Sequence, residues 1–157
     1  MKILIVYDSK TGNTEKMAFA IAEGIKMGKV NVEVKKVEET KVESLLYVQG
    51  LVIGSPVYYG LPSAKLKSFI DSSVKFHGKL DGLIGGAFAS SGGNHSGAET
   101  TIMAIIEALL IHGMIVQGTS GRNHYGPVSK GSPDDNTIET CKKYGEKIAH
   151  LVTKFCG

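Results

Sequence analysis

The chain predicts an α/β fold built on a doubly wound parallel sheet, and three observations carry that expectation. Residues 3–7, 51–53 and 83–89 are continuous apolar runs rather than alternating ones, as strands covered on both faces are. Between them lie segments whose apolar residues recur at three- and four-residue spacing, so strand and helix alternate along the chain. Loops rich in glycine and hydroxyl residues follow the strands, at the end of an open parallel sheet where ligands sit.

Residues 3–7 form the first strand, central because it is apolar throughout, and it ends at Asp8-Ser9. A helix begins at Thr14-Glu15, carries Met17, Ile21 and Ile25 on one face and stops near Gly28. Residues 31–37 alternate Val32 and Val34 with polar residues, the pattern of a half-covered edge strand. A short helical connector over 45–48 leads into the third strand, Leu51-Val52-Ile53. Pro62 suits the first turn of a helix that runs to about Asp71 and turns Leu66, Phe69 and Ile70 inward.

Residues 83–89 make the fourth strand, in which Gly85-Gly86 admits a close neighbour. The helix over 97–112 buries Ile102, Ile105, Ile106, Leu109 and Leu110 and stops at Gly113, and residues 114–117 make the fifth strand. Residues 118–135 contain six glycines and prolines and read as a loop of the length that serves function or moves. The last helix, over 136–155, buries Tyr144, Ile148, Val152 and Phe155.

A length of 157 residues with 42% hydrophobic and 21% charged residues fits a single domain spanning 1–157. The formal net charge of +3 and a single arginine, Arg122, argue against a nucleic-acid partner, and Lys142, Lys143, Lys147 and Lys154 read as the solvated face of the last helix. Cys141 and Cys156 lack metal-ligand spacing, which argues against a metal site or disulfide scaffold and for a reducing, cytoplasmic setting. No 18-residue apolar run or leader pattern points to a membrane.

The segment Ser9-Lys10-Thr11-Gly12-Asn13-Thr14, between a buried strand and a helix start, can ring a phosphate with hydroxyls and backbone N–H groups while the helix dipole favours the negative charge. It is neither G-x-x-x-x-G-K-[ST] nor G-x-G-x-x-G, so ATP hydrolysis and ordinary dinucleotide binding lose support. A phosphate-receiver domain would need an aspartate where Ser55-Pro56 stands. After the third strand, Pro56-Val57-Tyr58-Tyr59-Gly60 presents two aromatic rings that can stack on a planar ligand. After the fourth, Ser90-Ser91-Gly92-Gly93-Asn94-His95 offers donors to a ring edge.

Strand-Ser9-x-Thr11-Gly12-Asn13-Thr14 resembles the FMN-phosphate loop of flavodoxins, and the resemblance spans the whole chain. It implies five parallel strands in the order 2-1-3-4-5, a three-layer sandwich, with FMN as cofactor and a low-potential electron carrier as function. It also implies that Ser9 to Thr14, Lys10 and Gly12 included, hold the phosphate, and that Pro56 to Gly60 and Ser90 to His95 border the isoalloxazine. Gly54-Ser55-Pro56-Val57-Tyr58-Tyr59-Gly60, Gly97-x-Glu99-Thr100-Thr101, His112-Gly113-Met114 and Tyr125-Gly126 are similar to blocks of tryptophan-repressor-binding-protein-like NAD(P)H:quinone oxidoreductases.

That second resemblance implies a hydride-accepting enzyme, a homodimer or homotetramer, with His95 and Tyr125 lining the acceptor cavity and His112 joining a neighbouring subunit's flavin pocket. Two departures stand out: Thr11 occupies the position of a family tyrosine, and the chain contains no tryptophan. The two resemblances leave electron carrier and quinone or flavin oxidoreductase both open, with redox proteins, or NAD(P)H and quinone, as partners.

Overall fold

A computed structural model describes residues 1–157. Its parallel sheet is built on β1 (Lys2–Tyr7), β2 (Asn31–Lys36), β3 (Gly50–Pro56), β4 (Ile84–Ser91) and β5 (Ile115–Val116), ordered β2-β1-β3-β4-β5. This is the order the resemblance implied. β1 pairs with β2 on one side and β3 on the other, so its apolar residues lie in the middle of the sheet with almost no exposed surface. β2, at the edge, is only half-buried, as its alternation predicts.

Strand side chains alternate in direction, which sorts the apolar residues into two cores. Ile3, Ile5, Tyr7, Val52 and Phe88 meet α1 (Asn13–Met27) on one face, together with the final helix. Leu4, Val6, Leu51, Ile53 and Ala87 meet α2 (Ala64–Ser72) and α3 (Ala98–Ile111) on the other. The final helix, α4 (Asp135–Cys156), crosses α1 at two glycines. A Cβ on Gly24 would stand 1.9 Å from Lys142 O, and one on Gly145 would stand 2.1 Å from Ile21 O. No helix is long and apolar enough to cross a membrane.

The fifth strand, expected over 114–117, is only two residues long, and a further strand lies in the segment expected to be a loop. β5 pairs with β4 through Ile84↔Ile115 and Gly85↔Val116 only. The chain then leaves the sheet over 117–127 and returns as β6 (Val128–Lys130), which pairs in parallel through Ala89↔Val128, Ser90↔Ser129 and Ser91↔Lys130. Residues 118–135 are therefore not a continuous loop. Met114 stays outside the strand because its N–H closes the end of α3 on Leu109 O at 3.1 Å.

The gap leaves the middle of β4 without a strand on that side. Tyr144 of α4 closes it: its hydroxyl accepts the Ala87 N–H at 3.1 Å. Gly86 makes room, since a Cβ there would stand 2.7 Å from the Tyr144 oxygen. Burial pushes the Tyr144 phenol up to about 12, so it remains a neutral hydroxyl at ordinary pH.

Other elements depart from the sequence expectations in small ways. Pro62 lies outside α2, because the Ser63 side chain caps the helix by accepting the Leu66 N–H at 3.4 Å. The connector over 45–48 belongs to a 3-10 helix, Val42–Tyr47. Leu110 and Phe155 are each 53% exposed rather than buried. Leu110 follows buried Leu109 by about 100° around the helix beside a strand of two residues, and Cys156 takes the inward place one residue beyond Phe155.

Tyr144→Phe is expected to strand the buried Ala87 N–H and cost about 1–3 kcal/mol, read as a lower denaturant midpoint with an unchanged slope. An unchanged midpoint would show that the hydroxyl does not carry this bond.

Candidate functional site

At the carboxyl end of the sheet, three loops converge. The first runs from Asp8 to Thr14 between β1 and α1, where Gly12 caps the helix with φ 89°, a left-handed conformation that glycine adopts without strain. Ser9 Oγ accepts the N–H groups of Gly12 at 3.1 Å and Glu15 at 3.3 Å, which folds the loop around its own side chain. The N–H groups of Lys10, Thr11, Asn13 and Thr14 find no partner in the protein. They sit at the positive end of the α1 dipole, and a Cβ added to Gly12 would meet nothing within 4 Å.

The side chains behind this cradle are fixed. Thr14 is 2% exposed, and its hydroxyl meets Ser90 Oγ at 2.8 Å, tying the helix start to β4 across the sheet. The Tyr7 hydroxyl donates to Glu15 Oε1 at 2.5 Å. Burial, then the bonded carboxylate, raises the Tyr7 phenol well above its ordinary value, while the same hydrogen bond holds Glu15 below the usual carboxylate range.

The second loop turns at Tyr59-Gly60. Tyr58 N donates to Leu61 O and Leu61 N to Tyr58 O, both at 3.1 Å, and the two residues between have φ 51° and 76°. Two positive φ angles in succession define the tight turn that matches strand twist, but a tyrosine is strained there. Tyr59 is fully exposed and Tyr58 45% exposed, so both rings lie on the surface beside the cradle. Ser55 anchors the base of the loop, donating to Pro56 O at 2.6 Å and accepting the Ser63 N–H at 3.0 Å. Val57 N ties the loop to β4 through Ser90 O at 2.9 Å.

The third loop follows β4. The Ser91 and Ser96 hydroxyls donate to Gly93 O at 2.9 and 2.7 Å, and His95 takes φ 52°. Gly92 and Gly93 leave open space where a side chain would stand. Gly97 presses this loop on the second, since a Cβ there would stand 2.4 Å from Gly60 Cα, and Thr100 Oγ1 donates to Gly60 O at 2.7 Å. A cavity of about 410 Å³ beside the loop is lined by Asn94, His95, Asn123 and Lys130 among others.

The expected residues of the three loops thus lie at one end of the sheet. His112 does not: it caps α3 at the other end, roughly 20 Å along the helix from Gly97. Its Nε2 lies 2.7 Å from Ser73 Oγ, and because that hydroxyl donates to Ile70 O at 2.6 Å, His112 is the donor. Burial, then the charge of His77, lowers its pKa. Asn123 and Lys130 are additions to the expected set, and no local pattern marks them because the excursion over 117–127 and β6 bring them in. Thr100 was within reach, lying in a block that carried the resemblance.

Gly97→Ala is expected to force the second and third loops apart and cost about 1–3 kcal/mol, measured by chemical denaturation; a neutral change would mean the loops are not in contact at Gly60. His112 favours its neutral form when folded, so its contribution to stability is present above pH 6.5 and lost as pH falls below it. His112→Gln is expected to reduce the loss of denaturant midpoint between pH 7 and pH 5, and an identical loss in both proteins would exclude His112 as its source.

Comparison with known proteins adds three findings. A family profile described as Flavodoxin matches residues 5–121. A protein of Aquifex aeolicus named Flavodoxin is 39% identical, covering 98% of this chain and 88% of its own length, and one of Archaeoglobus fulgidus named NAD(P)H dehydrogenase (quinone) is 29% identical over 99% of each. The solved structure of a flavodoxin from the domain Archaea superposes with a TM-score of 0.84 at 30% identity, covering 98% of this chain and 99% of that one.

Proposed function

Because this chain belongs to the flavodoxin family, we propose that it binds FMN across the three loops and serves as a low-potential electron carrier. The observation that carries this reading is the cradle at the start of α1: the amides of Lys10, Thr11, Asn13 and Thr14 have no protein partner and face the positive end of a helix. A phosphate fits such a set by charge and by donor count. The Ser9 hydroxyl, which only accepts from the backbone, keeps its own proton to donate there, and the exposed Thr11 and half-buried Asn13 side chains add further donors.

FMN, once bound, supplies transfer of one or two electrons. The chain orients it and sets its surroundings. Tyr58 and Tyr59 supply aromatic cover on the side of the second loop, while Ser91 to His95 offer small side chains and amides to the ring edge. The peptide between Tyr59 and Gly60 can present either its C=O or its N–H to the ring edge, because Gly60 tolerates φ of either sign while Thr100 holds the next carbonyl. The phosphate would bring negative charge close to the ring system and so disfavour electron gain. On sequence grounds we place the protein in the cytoplasm, acting as one domain with redox-protein partners.

A second reading, an NAD(P)H-dependent quinone or flavin oxidoreductase, is favoured by the relative named NAD(P)H dehydrogenase (quinone) and by the cavity at His95, Asn123 and Lys130, which has room for a small-molecule acceptor. In that reading His112 would act only from a neighbouring subunit.

The purified protein is expected to be yellow, to release FMN on denaturation, and under anaerobic conditions to keep its colour with NADPH while bleaching with a flavoprotein reductase. Prompt bleaching by NADPH, reversed by a quinone, would establish the second reading. Failure to bind added FMN would overturn both.

A further inference from the structure

The excursion over 117–127 encloses a second, separate cavity of about 250 Å³ against α4, and three cations line it: Arg122, Lys143 and Lys147. Lys147 is half-buried, and its ammonium donates to Gln117 O at 3.2 Å, to Thr119 Oγ1 at 3.1 Å and to Gly118 O, all of them neutral acceptors. Desolvation lowers its pKa. Glu139, 3.6 Å from Lys143 on the exposed side of α4, is the only carboxylate within 4.0 Å of any of the three cations. Arg122 and Lys143 are exposed at the rim, so only Lys147 is drawn from water, and its charge, without a counter-charge, favours an anion beside it.

A second observation points the same way. Tyr144 also lines this cavity and is 7% exposed; its oxygen accepts from Ala87, while its own proton has no acceptor in the protein. The Asn123 amide adds a further donor without a protein partner and places this cavity next to the one beside His95, which Asn123 also lines. The volume lies just below the roughly 300–1,000 Å³ of sites that enclose a whole drug-sized ligand, so it suits a charged group of a larger molecule.

We propose that this cavity binds the diphosphate group of a nucleotide, with Arg122 and Lys143 as its cationic donors and Lys147, whose three N–H groups are already taken, as a further positive charge. Arg122 supplies the planar, bidentate contact suited to phosphate oxygens, the lysines supply point charges, and three positive charges match a diphosphate of two to three negative ones. The diphosphate can come from a free nucleotide or from the ADP half of a nicotinamide dinucleotide.

The test uses FMN-loaded full-length protein, so that the α1 cradle is already filled, and titrates it calorimetrically with ADP, pyrophosphate and NADPH at fixed ionic strength. ADP and pyrophosphate are expected to bind saturably, and Arg122→Gln and Lys143→Gln, each as a single variant, to weaken both by at least about tenfold. Lys154→Gln, the same charge change elsewhere on α4, is expected to alter them less than about twofold, and FMN content should stay the same in all variants. Competition between NADPH and ADP would assign the dinucleotide as the source, and ADP binding without competition the free nucleotide. No saturable binding at 10 mM on the order of a weak-effector concentration, or equal weakening by Lys154→Gln, would overturn the proposal whether or not FMN binds.

Discussion

Four of the backbone N–H groups in the first loop that find no protein partner form its cradle, and much of the fold works to hold them there. They belong to Lys10, Thr11, Asn13 and Thr14, on a turn that Gly12 closes in the left-handed region. β1 delivers the loop from the middle of the sheet, paired on both sides and buried on both faces, so its end cannot shift. The Thr14–Ser90 hydroxyl pair fixes the helix start to β4, and the two glycines between α1 and α4 let the last helix lie tight behind it. An amide-lined helix start with its N–H groups unpaired is a useful arrangement for a phosphate.

The same logic reaches the other loops through β4. Ser90 joins the first loop by its hydroxyl and the second by its carbonyl, which accepts from Val57. The contact of Gly97 with Gly60 then sets the third loop on the second, and Thr100 holds the carbonyl of a turn in which Tyr59 is strained. Strain held in this way at a ligand edge is a common mark of a functional turn.

Much of this could be read from the sequence because the signals were local. Continuous apolar runs gave β1 and β4, helical spacing gave the inner faces of α1 and α3, and the hydroxyls of residues 9–14 marked the cradle. What escaped was set by distant partners. Val128-Ser129-Lys130 lies among glycines and prolines and becomes a strand only because the free upper edge of β4 receives it. The partner of the Thr14 hydroxyl is likewise distant, a serine 76 residues away, while its backbone amide stays in the cradle. Pro62 yielded to Ser63, whose side chain makes the cap bond that Pro62 cannot make.

If the α1 cradle recognises the phosphate of the flavin nucleotide, a flavin without that group must bind more weakly. Calorimetric titration of flavin-free protein with FMN and with riboflavin, which lacks only that group, tests it most directly. Several charge-assisted hydrogen bonds from the unpaired amides predict that FMN binds at least about a hundredfold more tightly. Equal affinity for the two would contradict the account.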